Sequence, residues 1–106
     1  MVAEAEGLEL YVSRRSTTGY LNVYRNKLSG EIPVSLAKCR GLKVLRLYNN
    51  QLTGKVPREL GSLSGLRFLY LHDNNLDLED AEAAKAEFEE KIPHCSILVN
   101  PGIGNR

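Results

Sequence analysis

The sequence predicts an α/β fold: a short solenoid of stacked repeats with a parallel sheet on its concave side, a mostly irregular convex side and a C-terminal capping helix. Three observations favour this class. Apolar and asparagine residues recur at a fixed step of 24 residues, apolar residues alternate within each repeat as in a strand, and the last repeat changes to helical spacing. A fixed period of about 20 to 50 residues indicates a stacked-repeat architecture.

Each repeat places the same residue types at the same positions. The matched sets, in chain order, are Leu21, Leu45 and Leu69; Val23, Leu47 and Leu71; Asn26, Asn50 and Asn74; and Leu28, Leu52 and Leu76. Gly30 recurs as Gly54, and Pro33 recurs as Pro57. So many matches at one spacing indicate a single structural unit that is repeated along the chain.

One motif stands in full twice. Leucine and asparagine follow the pattern Leu-x-x-Leu-x-Leu-x-x-Asn-x-Leu at residues 42–52 and again at 66–76. This motif resembles the leucine-rich repeat. The continuations Leu-Ser-Gly-Glu-Ile-Pro at 28–33 and Leu-Thr-Gly-Lys-Val-Pro at 52–57 are similar to the 24-residue repeats of plant receptor-like kinases and defence proteins. The resemblance covers about residues 18–99 and implies the fold, whereas the partner of such a platform is chosen by a few variable surface residues.

The alternation within a repeat predicts a short strand with one buried face. Leu45 and Leu47 alternate with Arg46 and Tyr48, and alternation with a period of two is typical of a half-buried strand. Because a long crossover joins each strand to the next, the strands are expected to run parallel.

An asparagine closes each predicted strand. A buried asparagine amide has two N–H donors and a carbonyl acceptor, which can bond backbone groups of its own turn and of the neighbouring repeat. The recurrence therefore predicts a structural ladder formed by Asn26, Asn50 and Asn74.

The 106 residues are interpreted as one domain. Residues 1–17 do not fit the repeat and are expected to form an irregular segment or a degraded repeat. Residues 18–99 are expected to hold about three repeats, and residues 100–106 a flexible tail. Solenoid ends need a polar cover. No helical or cysteine cap is recognised before the first repeat, which favours a fragment of a longer array over a cap formed by residues 1–17.

The third repeat changes character after Leu76. Asp77 and the acidic residues that follow it predict a helix over 77–91, with Asp77 as the N-cap and the acids in the first turn. Apolar residues at helical spacing are expected to share its buried face; they are Leu78, Ala81, Ala84, Phe88 and Ile92.

A final strand over 95–99 is expected after this helix. Ile92, Cys95 and Ile97 repeat the spacing of three leucines in the third repeat, which are Leu66, Leu69 and Leu71. Cys95 is therefore predicted to take the strand position of Leu69.

Charge is distributed unevenly although the net charge is only +1. Residues 8–76 carry eleven basic and four acidic side chains, whereas the predicted helix 77–91 carries seven acidic side chains and two lysines. The helix is interpreted as a solvated acidic cap, and the alternative is a contact surface for a basic partner.

Cys39 and Cys95 are predicted to be unpaired, small apolar core residues, because they belong to the first repeat and to the last strand. No apolar run approaches the roughly 18 residues that a membrane-spanning helix needs. The acidic N-terminus lacks the apolar core of a signal peptide, and no Asn-x-Ser/Thr sequon is present. These features favour the cytoplasm, with an extracellular location as the alternative if the chain is a piece of a receptor.

Alignment of the repeats places the outward strand residues in columns. Tyr20, Val44 and Phe68 form the first column with His94 next; Asn22, Arg46 and Tyr70 the second with Ser96 next; and Tyr24, Tyr48 and His72 the third with Leu98 next. Tyrosine and arginine are typical of binding hot spots, and the resemblance implies that this concave face binds the ligand. The predicted partner-binding residues are Tyr20, Asn22, Tyr24, Arg46, Tyr48, Phe68, Tyr70 and His72. The alternative is that the rings support the sheet through cross-strand contacts.

The predicted function is a non-catalytic protein- or peptide-binding module without a cofactor, metal or nucleic-acid partner. His72 and Asp73 are adjacent in a strand and point to opposite faces, and the pair His94 and Ser96 has no orienting acid. Cysteines in the wrong register argue against a metal site, and basic residues spread over all faces argue against nucleic acid. The alternatives are a fragment of a receptor-kinase or defence-receptor ectodomain, and a structural fragment with no independent partner.

Overall fold

The computed structural model describes residues 19–22 and 28–99. The predictions made for residues 1–17, for Tyr24, for Asn26 and for the tail 100–106 lie outside the described residues. In chain order, the strands of the described part are β1 (Tyr20–Asn22), β2 (Ser29–Glu31), β3 (Val44–Arg46), β4 (Gln51–Gly54), β5 (Phe68–Tyr70), β6 (Asn75–Leu76) and β7 (Ser96–Leu98). Its helices are two 3-10 helices, Val34–Lys38 and Arg58–Ser62, and the α-helix α1 (Leu78–Lys91).

The predicted parallel sheet is formed by four strands in the order β1-β3-β5-β7. Tyr20 pairs with Val44, and Val44 pairs with Phe68, so the first three strands keep the 24-residue step of the sequence. The central residue of each of these strands is buried, as Leu21, Leu45 and Leu69 are, and in β3 Val44 is buried as well. The predicted α/β solenoid with a parallel sheet and a C-terminal helix is confirmed.

A second parallel sheet, in the order β2-β4-β6, was not predicted. Its strands pair at a different step: Ser29 lies opposite Gln51, and Thr53 lies opposite Asn75, a step of 22 residues. The 24-residue alignment therefore does not bring its partners together. Gly54 ends β4 with a φ of 83°, a conformation that glycine adopts without steric cost.

The return segments are short 3-10 helices that follow a proline. Pro57 has an extended conformation and precedes Arg58–Ser62, and Leu60 of that helix is fully buried. Backbone bonds from the Leu63 N–H to the Leu60 carbonyl and from the Leu66 N–H to the Leu63 carbonyl then turn the chain back toward the sheet. The same bonds join Leu36, Cys39 and Leu42 in the preceding repeat.

Helix α1 covers the C-terminal end of the stack and begins at its N-cap Asp77, whose side chain accepts a bond from the Asp80 N–H at 3.1 Å. It buries Ala81, Ala84 and Phe88. The expectation that Leu78 shares this face is wrong, since Leu78 is 48% exposed. At about 100° per residue, Leu78 lies roughly 80° around the helix from Phe88.

The close approach of α1 depends on Gly61 in the second 3-10 helix. A Cβ atom at Gly61 would lie 3.2 Å from Cδ1 of Phe88 and 3.2 Å from Cδ of Lys91. The phenylalanine ring therefore fills space that a side chain at position 61 would otherwise occupy.

The register predicted for the last strand is wrong by two residues. Leu69 pairs with Ile97 rather than with Cys95, and Phe68 pairs with Ser96. The α-helical return is longer than the 3-10 returns, so the step to β7 is 28 residues. Cys95 instead closes the turn, since its N–H bonds to the Ile92 carbonyl as that of Leu66 does to Leu63.

Ion pairs tie α1 to the convex side of the preceding repeat. Arg58 lies 3.0 Å from a carboxylate oxygen of Asp80 and 3.4 Å from one of Glu87. Within α1, Lys91 lies 3.2 Å from Glu87. The backbone N–H of Val56 donates to Asp80 at 2.8 Å. This network holds the acidic helix against a basic segment.

Burial raises the pKa of the Asp80 carboxyl, but this effect is outweighed. Hydrogen bonds from Arg58 and from the Val56 N–H, together with the charges of Arg58 and Lys55, lower the pKa below its ordinary value of 3.8. The carboxylate is therefore favoured over the neutral acid in the folded protein.

The two cysteines are free and buried in the apolar core. Burial raises the pKa of the Cys39 thiol and raises that of Cys95 to about 11, so both are protonated and poorly nucleophilic at neutral pH. Among the described residues, none of the helices has the length and apolar character needed to cross a membrane.

Candidate partner-binding face

The outward side chains of the four-stranded sheet form one surface, here called the concave face. It consists of the outward residues of β1, β3, β5 and β7 and of Tyr48 and His72, which follow β3 and β5. The register places Tyr20, Val44, Phe68 and Ser96 in one row and Asn22, Arg46, Tyr70 and Leu98 in the next. The shifted last strand thus moves Leu98 from the predicted third column to the second.

Backbone bonds extend the ordered face beyond the ends of the strands. The Leu47 N–H bonds to the Tyr70 carbonyl at 2.9 Å, and the Asn49 N–H bonds to the His72 carbonyl at 3.1 Å. Tyr48 and His72 are therefore held side by side although neither lies in a strand. Asn49 and Asp73 follow them with φ of 63° and 56°, left-handed values that these two residue types tolerate best after glycine.

The ladder asparagines bond the backbone of the segments that carry Tyr48 and His72. Asn50 donates to the carbonyls of Leu47 at 2.9 Å and Tyr48 at 3.3 Å, and its side-chain oxygen accepts from the Leu28 N–H at 3.1 Å. Asn50 itself is buried. These contacts satisfy backbone groups at the point where the strand ends.

Asn74 repeats these contacts one turn later. It donates to the carbonyls of Leu71, His72 and Leu47, and it accepts from the Leu52 N–H at 2.9 Å. One amide thus bonds the backbone of two successive repeats and fixes the position of the loop that carries His72.

Four rings of the concave face contact one another. Tyr48 and His72 are stacked, with centroids 4.6 Å apart and planes 9° apart. Tyr70 meets the edges of both, at 6.4 Å from Tyr48 and 6.0 Å from His72, and lies 5.8 Å from Phe68. These are the offset and edge-to-face arrangements that aromatic pairs prefer, so the rings hold one another in place.

Arg46 lies beside this cluster. Its Nη1 donates to Oδ1 of Asn22 at 3.1 Å. Its guanidinium carbon is 5.9 Å from the ring centroids of both Phe68 and Tyr70, within the range of cation–π attraction. Asn22, Arg46, Phe68 and Tyr70 thus form a contact chain across three strands.

The side chains of the concave face differ in how much of their surface is exposed to solvent. Tyr20 is 60% exposed, Phe68 is exposed, and Arg46 and Tyr70 are half-buried. Val44 was expected to point outward with Tyr20 and Phe68, but it is only 4% exposed. It is flanked in the sheet by these two larger side chains, which leaves it little contact with solvent.

Leu98 was placed on the face by the alignment of the repeats but was not among the predicted partner-binding residues. It is 45% exposed and lies opposite Tyr70. It lies between buried Ile97 and buried Val99, in agreement with the alternation expected of a half-buried strand. Tyr24, also predicted for the face, lies outside the described residues.

The other polar candidates are dispersed. His94 Nε2 lies 3.0 Å from the Ser64 carbonyl oxygen, in a turn rather than on the face. In the described part of the chain, no group of three His, Cys, Asp or Glu side chains is arranged to hold a metal ion. The arrangement on the concave face is suited to contact with another molecule through rings and one guanidinium.

Comparison with known proteins identifies the same repeat that the sequence pattern indicates. The family model described as Leucine rich repeat matches residues 19–76, more than half of the chain. A search of curated proteins finds no match.

Proposed function

The chain belongs to the leucine-rich-repeat family, and from this premise we propose that it is a non-catalytic module that binds a protein or peptide on its concave face. Domains of this family generally mediate protein–protein interaction. We assign the contact to seven described residues: Tyr20, Asn22, Arg46, Tyr48, Phe68, Tyr70 and His72. Tyr24 is the eighth residue predicted for this role.

One observation carries the proposal. Tyr48, His72, Tyr70, Phe68 and Arg46 form a continuous cluster of contacts on one face of the sheet. Immobilising a side chain on binding costs about 0.5–1.5 kcal/mol. Rings that already hold one another lose less freedom, so a partner gains more from the same contact area.

The alternative that the rings only support the sheet predicts a different outcome. Cross-strand pairs contribute roughly 0.2–1 kcal/mol each, which requires contact among the rings but not their exposure. Tyr20 and Phe68 remain exposed, which favours a surface that is completed by another molecule.

The test is capture of a partner from native extract with three forms of the whole chain. The first is the wild type, and the second carries Tyr48→Ala with Tyr70→Ala. The third is a matched control, Val34→Ala with Leu78→Ala, which removes two exposed apolar side chains away from the concave face. We expect the wild type and the control to capture the same protein and the concave-face variant to lose it. Equal capture by all three forms would contradict the proposal.

A finer proposal concerns the source of the chain. The continuations at 28–33 and 52–57 are similar to plant receptor and defence repeats, and they support a piece of such an ectodomain with a role in signalling. This version predicts an extracellular location, whereas the isolated module is proposed to be cytoplasmic. The full transcript decides between them: a secretion signal upstream, or a membrane helix with a kinase downstream, supports the receptor, and a reading frame without these supports the module.

A structural fragment with no partner of its own is the remaining alternative. It predicts that the purified chain aggregates or unfolds. A monodisperse protein with a cooperative melting transition would argue against it.

A further inference from the structure

We infer that the partner presents a glutamate or aspartate side chain to Arg46, within a segment whose neighbouring residues are apolar or aromatic. This inference rests on the proposed function, because it specifies the chemistry of the molecule that the concave face binds.

Arg46 is held in position but not neutralised. Asn22 takes one of its five N–H donors through a neutral amide oxygen, and Phe68 and Tyr70 lie beside the guanidinium. Among the described residues, no carboxylate forms an ion pair with it, and its remaining donors are available to another molecule. The side chain is half-buried, so its charge is only partly hydrated.

Arg58 shows what the same residue type does when it has a structural role. Its guanidinium is neutralised by Asp80 at 3.0 Å and Glu87 at 3.4 Å, and it also donates to the Val56 carbonyl. Arg46 contacts two aromatic rings and the neutral amide of Asn22, but among the described residues it has no acidic partner like those of Arg58. A carboxylate supplied by a partner would complete at Arg46 the pairing that Arg58 makes within the chain.

The charge around the concave face favours an anionic partner. Its outward positions in the described part of the chain carry Arg46 and no acid. At the amino end of the strands, Lys43 and Arg67 are exposed, and the Arg67 N–H bonds to the Lys43 carbonyl at 2.7 Å, so these residues lie side by side in neighbouring repeats. The acids of the domain are concentrated on α1, where Asp80 and Glu87 are paired.

A carboxylate fits this site better than a nucleic-acid backbone. The planar guanidinium binds a carboxylate through two parallel bonds, and a single arginine on the face serves a single anionic group. Binding along a phosphate backbone depends on many such contacts. The adjacent rings of Tyr70, Phe68 and Tyr48 provide apolar surface for the residues on either side of the acid.

The experiment uses three synthetic pools of random peptides of about ten residues, whose central residue is fixed as Glu, Gln or Lys. All peptides end in an amide, so the only carboxylates are those of side chains. Each pool is incubated with the whole chain, and retained peptides are sequenced. We expect retention from the Glu pool, with apolar or aromatic residues beside the fixed acid.

The retained peptides are then measured against variants. We expect Arg46→Gln to weaken binding of a retained Glu peptide by about tenfold or more, and Arg46→Lys to weaken it less. Replacing the peptide's Glu by Gln should cost a similar factor on the wild type and little on Arg46→Gln, since the pair is already broken. Lys38→Gln, which removes an exposed charge on the convex side, should change nothing.

The other outcomes separate the two proposals. Retention from the Gln or Lys pool that is lost in Tyr48→Ala but not in Arg46→Gln would overturn the acidic partner and leave the binding face intact. Retention that survives Tyr48→Ala with Tyr70→Ala, or no retention from any pool, would overturn both. Self-association of the wild type that disappears in Arg46→Gln would identify a second copy as the occupant and overturn the peptide.

Discussion

Leu28 and Asn50 are joined across two repeats by a single bond, from the Leu28 N–H to the Asn50 side-chain oxygen, at 3.1 Å. Leu52 and Asn74 repeat it at 2.9 Å. In both cases the bond spans 22 residues, the step at which the second sheet pairs. The bond to the asparagine oxygen thus has the spacing of the second sheet, and it connects that sheet to the end of the four-stranded sheet.

We expect Asn50→Ala to lower the free energy of unfolding by about 1–3 kcal/mol, because it leaves the buried Leu28 N–H without its partner and removes one of the two amide donors to the Leu47 carbonyl. Urea unfolding measures this change. Asn75→Ala is the control, since Asn75 is exposed and should change the free energy by no more than about 0.5 kcal/mol. Identical curves for wild type and Asn50→Ala would contradict the ladder.

Asp80 is expected to make stability depend on acid. Because its folded-state pKa lies below the ordinary value of 3.8, its charge stabilises the fold above that pH, and the effect is lost as pH falls through the lower folded value. Asp80→Asn should cost about 1–3 kcal/mol at pH 7 through its charged bonds.

The difference between wild type and Asp80→Asn should shrink when unfolding is measured below pH 3.8. Glu82→Gln, a change at an exposed acid of the same helix, is the control and should leave the acid dependence unaltered. A difference that is the same at both pH values would show that the charge of Asp80 is not responsible.

The packing of α1 predicts opposite outcomes for two apolar residues of one helix. Phe88→Ala should lower the free energy of unfolding by about 3–5 kcal/mol, since the ring is fully buried against Gly61. Leu78→Ala should change it by less than about 0.5 kcal/mol. Thermal and urea unfolding compare the two. A large loss in Leu78→Ala would mean that the helix is rotated from the position described.

Tyr48→Ala tests whether the concave face serves binding or support. Its stacked contact with His72 should be worth no more than about 0.5–1.5 kcal/mol, so the variant should still melt cooperatively while binding weakens. Calorimetry and capture of the partner are measured on the same sample. Loss of the folded state would show that the ring is structural.

The fold could be predicted as far as the 24-residue step applies. Leu21, Leu45 and Leu69 lie at equivalent positions because repeats with equal lengths place equal residues in register. The last strand fails this rule, since the helical return adds residues that the spacing of Ile92, Cys95 and Ile97 conceals. The second sheet could not be predicted in this way, because its paired residues are 22 apart in the sequence and the repeats were aligned at a step of 24.

The residues of the candidate face could be predicted, but their mutual contacts could not. Alternation assigns Arg46, Phe68 and Tyr70 to one side of the sheet. It does not say that Arg46 bonds to Asn22 or that Tyr48 stacks on His72, since these depend on side-chain rotamers and on backbone bonds beyond the strands. Alternation also assigns Val44 to the outward side, but its side chain is buried because its neighbours cover it. The role of these residues in binding stays a prediction.

The junctions between repeats are interchangeable. The Lys43 N–H bonds to the Gly19 carbonyl as the Arg67 N–H bonds to that of Lys43, both at 2.7 Å. A duplicate of residues 42–65 inserted after position 65 would meet residues 66–99 on one side, as residues 42–65 now do, and on the other side its Lys43 N–H would find the Lys43 carbonyl that Arg67 now uses. We expect the array to accept such an insertion without a change in the terminal helix, and each insertion would widen the concave face by one strand.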